Sequence, residues 1–354
     1  MPELPDVERA VREIRLVGLG KEIARVDTHE DAIVYTGVTH QDFADEVSGR
    51  IIVQVGRYGK VFYLLLSGEG RMPVLHFGMT GMIQVKGGPA TYYKSSKNLV
   101  RDEWPPRFMK FILHFSDGVQ LAFMDARRLG RIRLCLDPLH ESPISKLGFD
   151  PLLCMPSLDK FAELMKRRSC PVKALLLDQK FSAGVGNWVA DEILYHARVH
   201  PERRCNTLTE TELDSLHRQT ETVCRVAVDA DADEEKFPED WLFKHRWDKG
   251  KKNARRSGTL KLPSGAPATI KWTTVGGRTS AYIDELQKPY ALSSALEEPL
   301  QDEADAGMDA ANGDSVLTEL SDEPEHARPF SSKRKKIAAA SRPRKKRAGD
   351  AGDG

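Results

Sequence analysis

One change of rhythm constrains the fold of this chain more than any other feature. Across residues 51–136 the apolar residues fall in runs of four to eight separated by glycine-bearing turns; after Pro138 they recur at helical spacing. Short runs rich in Val, Ile, Leu and Phe suit strands, because branched and aromatic side chains pack well on a pleated surface. The pattern predicts strands over 51–55, 61–66, 74–77, 82–85, 108–115, 119–124 and 131–136, with Asp117-Gly118 as a two-residue hairpin turn. Ahead of them Val7, Ala10, Val11, Ile14 and Val17 share a helical face, with Pro5 in the first turn, which predicts a helix over 5–17. Helices are expected over 158–168, 172–178, 187–198 and 210–230; Thr209 and Glu212 have capping-box spacing, and Pro201 stops the third. Residues 255–285 return to strand character as a small hairpin. The expectation is an α+β protein: a β-sandwich with a leading helix at 1–137, a helical domain at 138–250, a hairpin at 251–290 and a tail at 291–354.

The 354 residues are enough for two domains and a tail. The net charge of +1 averages over an acidic block at 297–325 and basic clusters at 333–336 and 342–347. The tail lacks the apolar surface needed to offset ordering entropy and is expected to be disordered. Its basic clusters read as a bipartite nuclear localisation signal, or equally as a non-specific DNA-binding arm, so a nuclear location and an import receptor as partner are expected. The five cysteines form no Cys-x-x-Cys pair, so neither a disulfide framework nor a cysteine zinc site is expected. No apolar run reaches the roughly 18–20 residues of a membrane span, and the start lacks the pattern of a signal peptide. A soluble intracellular monomer without a membrane partner is expected.

The start of the chain carries chemistry. Trimming of Met1 would leave Pro2 with a secondary amine, and an α-amino group titrates near pH ~8, so part of it is neutral and nucleophilic at pH 7. Such an amine forms an iminium with a sugar aldehyde at C1′, which makes the C2′ proton acidic and lets the 3′ phosphate leave; Glu3 could shuttle the proton. Taken alone, Pro-Glu is an ordinary helix start. Five segments in order say more. Pro2-Glu3-Leu4-Pro5-Asp6-Val7-Glu8, Gly59-Lys60, His76-Phe77-Gly78-Met79-Thr80-Gly81, Gly184-Val185-Gly186-Asn187-Trp188-Val189-Ala190-Asp191-Glu192 and Gly276-Gly277-Arg278-Thr279-Ser280-Ala281-Tyr282 together resemble the formamidopyrimidine-DNA glycosylase and endonuclease VIII family. The spacing and the shortage of cysteines look most like the plant and fungal branch of the formamidopyrimidine glycosylases.

The resemblance implies a helix-two-turn-helix element within 138–250 and a finger hairpin at 251–290, acting on damaged double-stranded DNA. It implies Pro2 as nucleophile, Glu3 as general acid/base and Lys60 as the cation facing the phosphates. Asn187 at a helix N-terminus and Arg278 on the hairpin would bind phosphate, and Glu192, which matches a carboxylate near the site, would join them as a DNA-binding residue. Met79, Arg127 and a third residue would fill the gap left by an extruded base. That third residue is usually phenylalanine and here is Leu129, so altered discrimination of the opposite base is expected. Asp6 stands where the family carries glutamate. No cysteine follows Cys224 and His245 is the only histidine nearby, so the finger is expected to hold no zinc, with Arg278 held by hairpin packing alone. No metal or cofactor is expected, because the proline amine supplies the electron sink.

Two segments invite a role. Basic and aromatic residues interleave over 86–107, which suits either a nucleic-acid contact or a mobile insertion. An acidic stretch over 228–240, ending in a short helix, falls where bacterial relatives carry a loop over 8-oxoguanine. The implied function is a bifunctional glycosylase and abasic-site lyase, with formamidopyrimidines, hydantoins and abasic sites better substrates than 8-oxoguanine. The alternatives are an endonuclease VIII-like enzyme for oxidised pyrimidines and a DNA-binding scaffold without turnover.

Overall fold

The structure, a computed structural model, describes residues 1–88, 103–249 and 260–289. Most of the interleaved basic and aromatic segment, and the acidic and basic tail, lie outside the described residues. Helix α1 (Leu4–Gly18) buries Val7, Ala10, Val11 and Ile14, the face expected from their spacing. Strand β1 (Ile23–Thr28) and helix α2 (His40–Val47) follow. Neither was expected. Thr39 caps α2 by accepting from the Asp42 amide at 3.1 Å, a cap that the sequence shows but that an eight-residue helix with two buried residues, Phe43 and Val47, signals weakly.

Strands β2 (Ile52–Tyr58), β3 (Val61–Leu66), β4 (Met72–His76), β5 (Met82–Val85), β6 (Met109–Phe115), β7 (Gln120–Met124) and β8 (Arg131–Cys135) complete the β part. Two four-stranded sheets result, ordered β1-β6-β7-β5 and β2-β3-β4-β8, with every pairing antiparallel. Their inner faces share one core with α1 and α2. An aromatic chain threads it: Phe43–Phe111, Phe111–Phe123, Phe123–Phe77 and Phe77–Phe62, with centroids 5.1, 5.4, 5.6 and 4.7 Å apart. Each buried phenylalanine contributes about 1.5–3 kcal/mol by leaving water. The β6–β7 turn differs from the two-residue expectation. The Phe115 amide donates to Val119 and the Gly118 amide to Phe115, so the loop holds Ser116, Asp117 and Gly118.

The helices are α3 (Leu158–Lys166), α4 (Val172–Leu177), α5 (Asn187–Ala197) and α6 (Glu210–Asp229), and a second core forms among them. Thr209 caps α6 through the anticipated capping box. Strands β9 (Ile270–Val275) and β10 (Arg278–Ile283) pair through a two-residue turn at Gly276-Gly277. Both glycines take positive φ, 58° and 74°, the backbone that a tight hairpin turn needs.

One buried ion network ties α1, β2 and the start of the helical region together. Arg57 donates from Nε to Glu8 at 2.9 Å and from Nη1 to Asp150 and to the Gly59 carbonyl. Asp150, fully buried, also accepts from the amides of Gly59, Leu152 and Leu153 at 2.8, 2.9 and 3.1 Å. Removing one member of a buried pair strands the other charge. Asp150→Ala is therefore expected to cost about 3–5 kcal/mol of folding stability. Urea titration of both proteins checks this; a loss under about 1 kcal/mol would show that water replaces the carboxylate.

Candidate active site

The site is built where three segments meet: the start of α1, the β2–β3 turn and the loop before α5. Glu3 is 2% exposed, and its two carboxylate oxygens each accept a backbone amide from the first turn of α5, Trp188 and Val189, both at 3.0 Å. A carboxylate there satisfies two orphan donors and meets the positive end of the helix dipole. Gly186 makes this contact geometrically possible, since a Cβ on it would stand 2.2 Å from Cδ of Glu3. The Leu4 amide donates to the Gly184 carbonyl at 3.1 Å. Gln179 holds the same loop open, donating to the Val185 carbonyl at 2.8 Å and accepting from the Gly184 amide at 3.0 Å.

Pro2 is buried beside this cluster, and Lys60 is 9% exposed. The Lys60 ammonium lies 3.9 Å from the sulfur of Met1. Burial pushes the Glu3 carboxyl above its ordinary range, against the pull of Lys60 and the two amides. Burial pulls the Lys60 ammonium below its ordinary range; Glu3 opposes this and Arg278 adds to it. Lys60 therefore senses the charges of both Glu3 and Arg278 although the three lie far apart in sequence. Asp6 accepts from the Glu3 amide at 2.9 Å, so the shorter carboxylate still reaches the backbone it faces, and burial pushes its pKa up to about 6. His76, in the register opposite Val61, accepts from the Gly78 amide at 3.0 Å; burial and the nearby cations push it down to about 3, so it stays neutral.

Arg278 opens β10, and what fixes that hairpin is a correction to the expectation of packing alone. Asp191, fully buried in α5, accepts from Lys173 (2.7 Å), Arg246 (2.7 Å), the Ser280 hydroxyl (2.7 Å) and the Ala281 amide (3.1 Å). Lys173, also fully buried, donates to the Thr279 carbonyl at 3.0 Å. Burial alone would push the Asp191 carboxyl up; the Lys173 and Arg246 cations outweigh it and hold it below the usual range. The strand bearing Arg278 is thus pinned to α5 by charge as well as by the apolar contacts of Tyr195, Leu242, Ala281 and Ile283. Asp191 stood in a quoted motif, but Lys173 and Arg246 carried no sequence signal that would separate them from surface cations.

Asn187, expected at a phosphate-binding helix N-terminus, opens α5. Glu3 accepts from the amides of Trp188 and Val189 there, and the Asn187 side-chain amide donates to the Thr279 carbonyl at 3.1 Å. Glu192 was expected to touch DNA. It is fully buried and accepts from the amides of Leu242 and Phe243 at 3.0 and 2.8 Å and pairs with His196 at 3.0 Å, so it anchors the turn that follows rather than a ligand. That turn is two 3-10 segments, Leu242–Lys244 and Arg246–Asp248. The stretch ahead of it packs inward through Phe237 and Trp241, 5.6 and 6.5 Å from Trp188, while Asp231, Glu235, Glu239 and Asp240 stay exposed.

Met79, Arg127 and Leu129 lie on two neighbouring loops that Asp125 ties together. Its carboxylate accepts from the Thr80 hydroxyl at 2.7 Å and from the amides of Arg127 and Gly130 at 3.2 and 2.6 Å. Arg127 is exposed, Leu129 half-buried and Met79 buried. Arg128, at φ 59°, turns the other way and pairs with Asp31 at 3.0 Å.

Known proteins match this chain in sequence and in fold. Residues 1–132 match the family model of the formamidopyrimidine-DNA glycosylase N-terminal domain, and residues 147–238 match that of its H2TH domain. A formamidopyrimidine-DNA glycosylase of Arabidopsis thaliana is 40% identical over 290 residues, covering 82% of this chain and 72% of the relative. One from Desulforamulus reducens is 35% identical over 223 residues, covering 62% and 74%. Among solved structures, MutM in complex with carbocyclic 8-oxo-G containing DNA superposes at TM-score 0.64, 23% identical, over 81% of this chain and all of that one. Lactococcus lactis Fpg with an abasic site containing DNA gives 0.63 at 22% identity, over 81% and 99%. Fold and matched regions define a DNA-binding repair glycosylase. The chain belongs to the formamidopyrimidine-DNA glycosylase family.

Gly186→Ala tests the geometry. The added methyl must displace Glu3, and a misplacement of that order costs on the order of 100-fold in rate. Single-turnover excision of a lesion by the folded variant should fall by about that factor; a rate equal to the parent's would mean that Glu3 does not need this seat.

Proposed function

We propose that the protein is a bifunctional glycosylase and abasic-site lyase that excises oxidised bases through a Schiff base on Pro2. One observation carries the reading: the residue next to Pro2 is a buried carboxyl, fixed on the dipole of α5 and pushed towards its protonated form. A carboxyl that burial makes easier to protonate can give its proton to the sugar ring oxygen as the base leaves, while the Pro2 amine attacks C1′. The iminium then acidifies C2′, and loss of that proton expels the 3′ phosphate by β-elimination, or β,δ-elimination if a second step follows. Lys60 and Arg278 stabilise the negative charge of the phosphates. Asn187, whose side-chain amide reaches Thr279 beside Arg278, adds a donor to the phosphate.

The reading requires Met1 to be removed. Its sulfur fills the space beside the Lys60 ammonium. Cleavage of Met1 opens that space and frees the secondary amine of Pro2. Formamidopyrimidines, hydantoins and abasic sites are the proposed substrates, with 8-oxoguanine poorer. The DNA in the two solved relatives, one with an 8-oxo-G analogue and one with an abasic site, supports this class of ligand. The neighbouring loops of Met79, Arg127 and Leu129 are proposed to fill the gap left by the extruded base, and the protein is proposed to work in the nucleus.

Borohydride trapping on a duplex carrying an abasic site or a formamidopyrimidine tests the mechanism. A crosslink mapping to Pro2 and lost when the amine is blocked is expected; a duplex that binds without trapping or cleavage would leave only a scaffold. Leu129→Phe restores an aromatic wedge worth roughly 1–3 kcal/mol of stacking. The variant should change the ratio of excision rates opposite C and opposite A, and identical ratios in both proteins would remove Leu129 from opposite-base readout.

A further inference from the structure

Cys170 and Cys205 come together although the sequence separates them widely. An isolated antiparallel bridge joins Pro171 to Arg204, just ahead of α4. The Val172 amide donates to Arg203 at 2.7 Å and the Cys205 amide to Cys170 at 3.1 Å. That register sets Cys170 directly opposite Cys205. Residues sharing such a hydrogen bond have Cα atoms about 5.5 Å apart, inside the roughly 4.4–6.8 Å window of disulfides. Both are free thiols in the structure, Cys205 buried and Cys170 half-buried. Burial and the adjacent Cys170 sulfur push the Cys205 thiol up to about 12.

We propose that Cys170 and Cys205 form a reversible intramolecular disulfide when the protein meets hydrogen peroxide. Cys170 is the thiol open to solvent, so its sulfur attacks the peroxide O–O bond and becomes a sulfenic acid as one water leaves. The Cys205 sulfur then attacks that sulfur, the S–S bond forms and a second water leaves. Two thiols and one peroxide give one disulfide and two waters, with two electrons passing from the sulfurs to the peroxide oxygens. The bridge is short and lies at the edge of the helical core, so reducing thiols reach the bond and reopen it.

The position matters because Lys173 begins two residues beyond Pro171. Its backbone amide donates to Pro201 at 3.3 Å, and its ammonium holds Asp191 and Thr279 beneath the Arg278 strand. The bond would close on the segment that places this lysine. The other cysteines have different surroundings: Cys135 lies on β8, Cys224 in α6, and Cys154 contacts the Tyr58 hydroxyl at 3.1 Å.

The full-length protein is treated with hydrogen peroxide, remaining thiols are alkylated in denaturant, and a non-reducing tryptic digest is analysed by mass spectrometry. Cleavage after Arg168, Lys173, Arg204 and Arg218 should give a peptide of residues 169–173 joined to one of residues 205–218. The joined species should lack two hydrogens, separate with dithiothreitol and be missing from Cys170→Ser and Cys205→Ala. Cys170 recovered as sulfinic or sulfonic acid with Cys205 still alkylated would overturn the proposal. So would a link from either residue to Cys154. Peptide mapping reads the bond itself, so a variant with weakened folding does not confuse the result.

Discussion

The two hydrogen bonds from the first turn of α5 to the Glu3 carboxylate are the contact on which the rest of the site depends. They place the chain's start against the helical core and hold a carboxyl where water is excluded. Burying a carboxylate is costly unless it is paired or hydrogen-bonded. Here backbone amides and the helix dipole offset part of that cost, and Lys60 offsets more. The balance still leaves the group easier to protonate than a free glutamate, which is the property that proton transfer to a leaving base requires.

A second polar centre, Asp191, plays the matching part for the hairpin. Four donors from three segments converge on it: Lys173 at the start of α4, Arg246 in the 3-10 turn, and Ser280 and Ala281 in β10. Such a centre stabilises only when every member is satisfied. It fixes the register of β10 against α5 to within a residue, since a slip would turn Ser280 away and leave the carboxylate short of a donor. Glu3 lies near the start of α5 and Asp191 one turn further on. One helix of eleven residues therefore orients both the Glu3 end of the chain and the strand that bears Arg278.

Asp191 and Glu192 show how neighbouring carboxylates can anchor different pieces of the site. Asp191 accepts from β10, while the Glu192 carboxylate turns to the amides of Leu242 and Phe243. The Asn187 side-chain amide donates to Thr279, on the same strand as Arg278.

Much of the architecture was legible in the sequence because it rests on local patterns. The α1 face follows from apolar spacing, the strands from short apolar runs between glycines, the α6 start from Thr209 and Glu212, and the β9–β10 turn from Gly276-Gly277. The residues proposed for the site were legible too, as ordered motifs. Strand β1 was missed because its burial does not alternate along the strand, and helix α2 because its eight residues bury only Phe43 and Val47. Which donor meets which carboxylate was likewise beyond the sequence. Lys173, Arg246, Gln179 and the Arg57–Asp150 pair look like ordinary surface polar residues until folding takes them out of water. Local propensity and spacing determined the elements and their order. Only the tertiary structure decided the charge partners, because a buried ion's partner is set by proximity in space and by desolvation, and neither is encoded in any short stretch of chain.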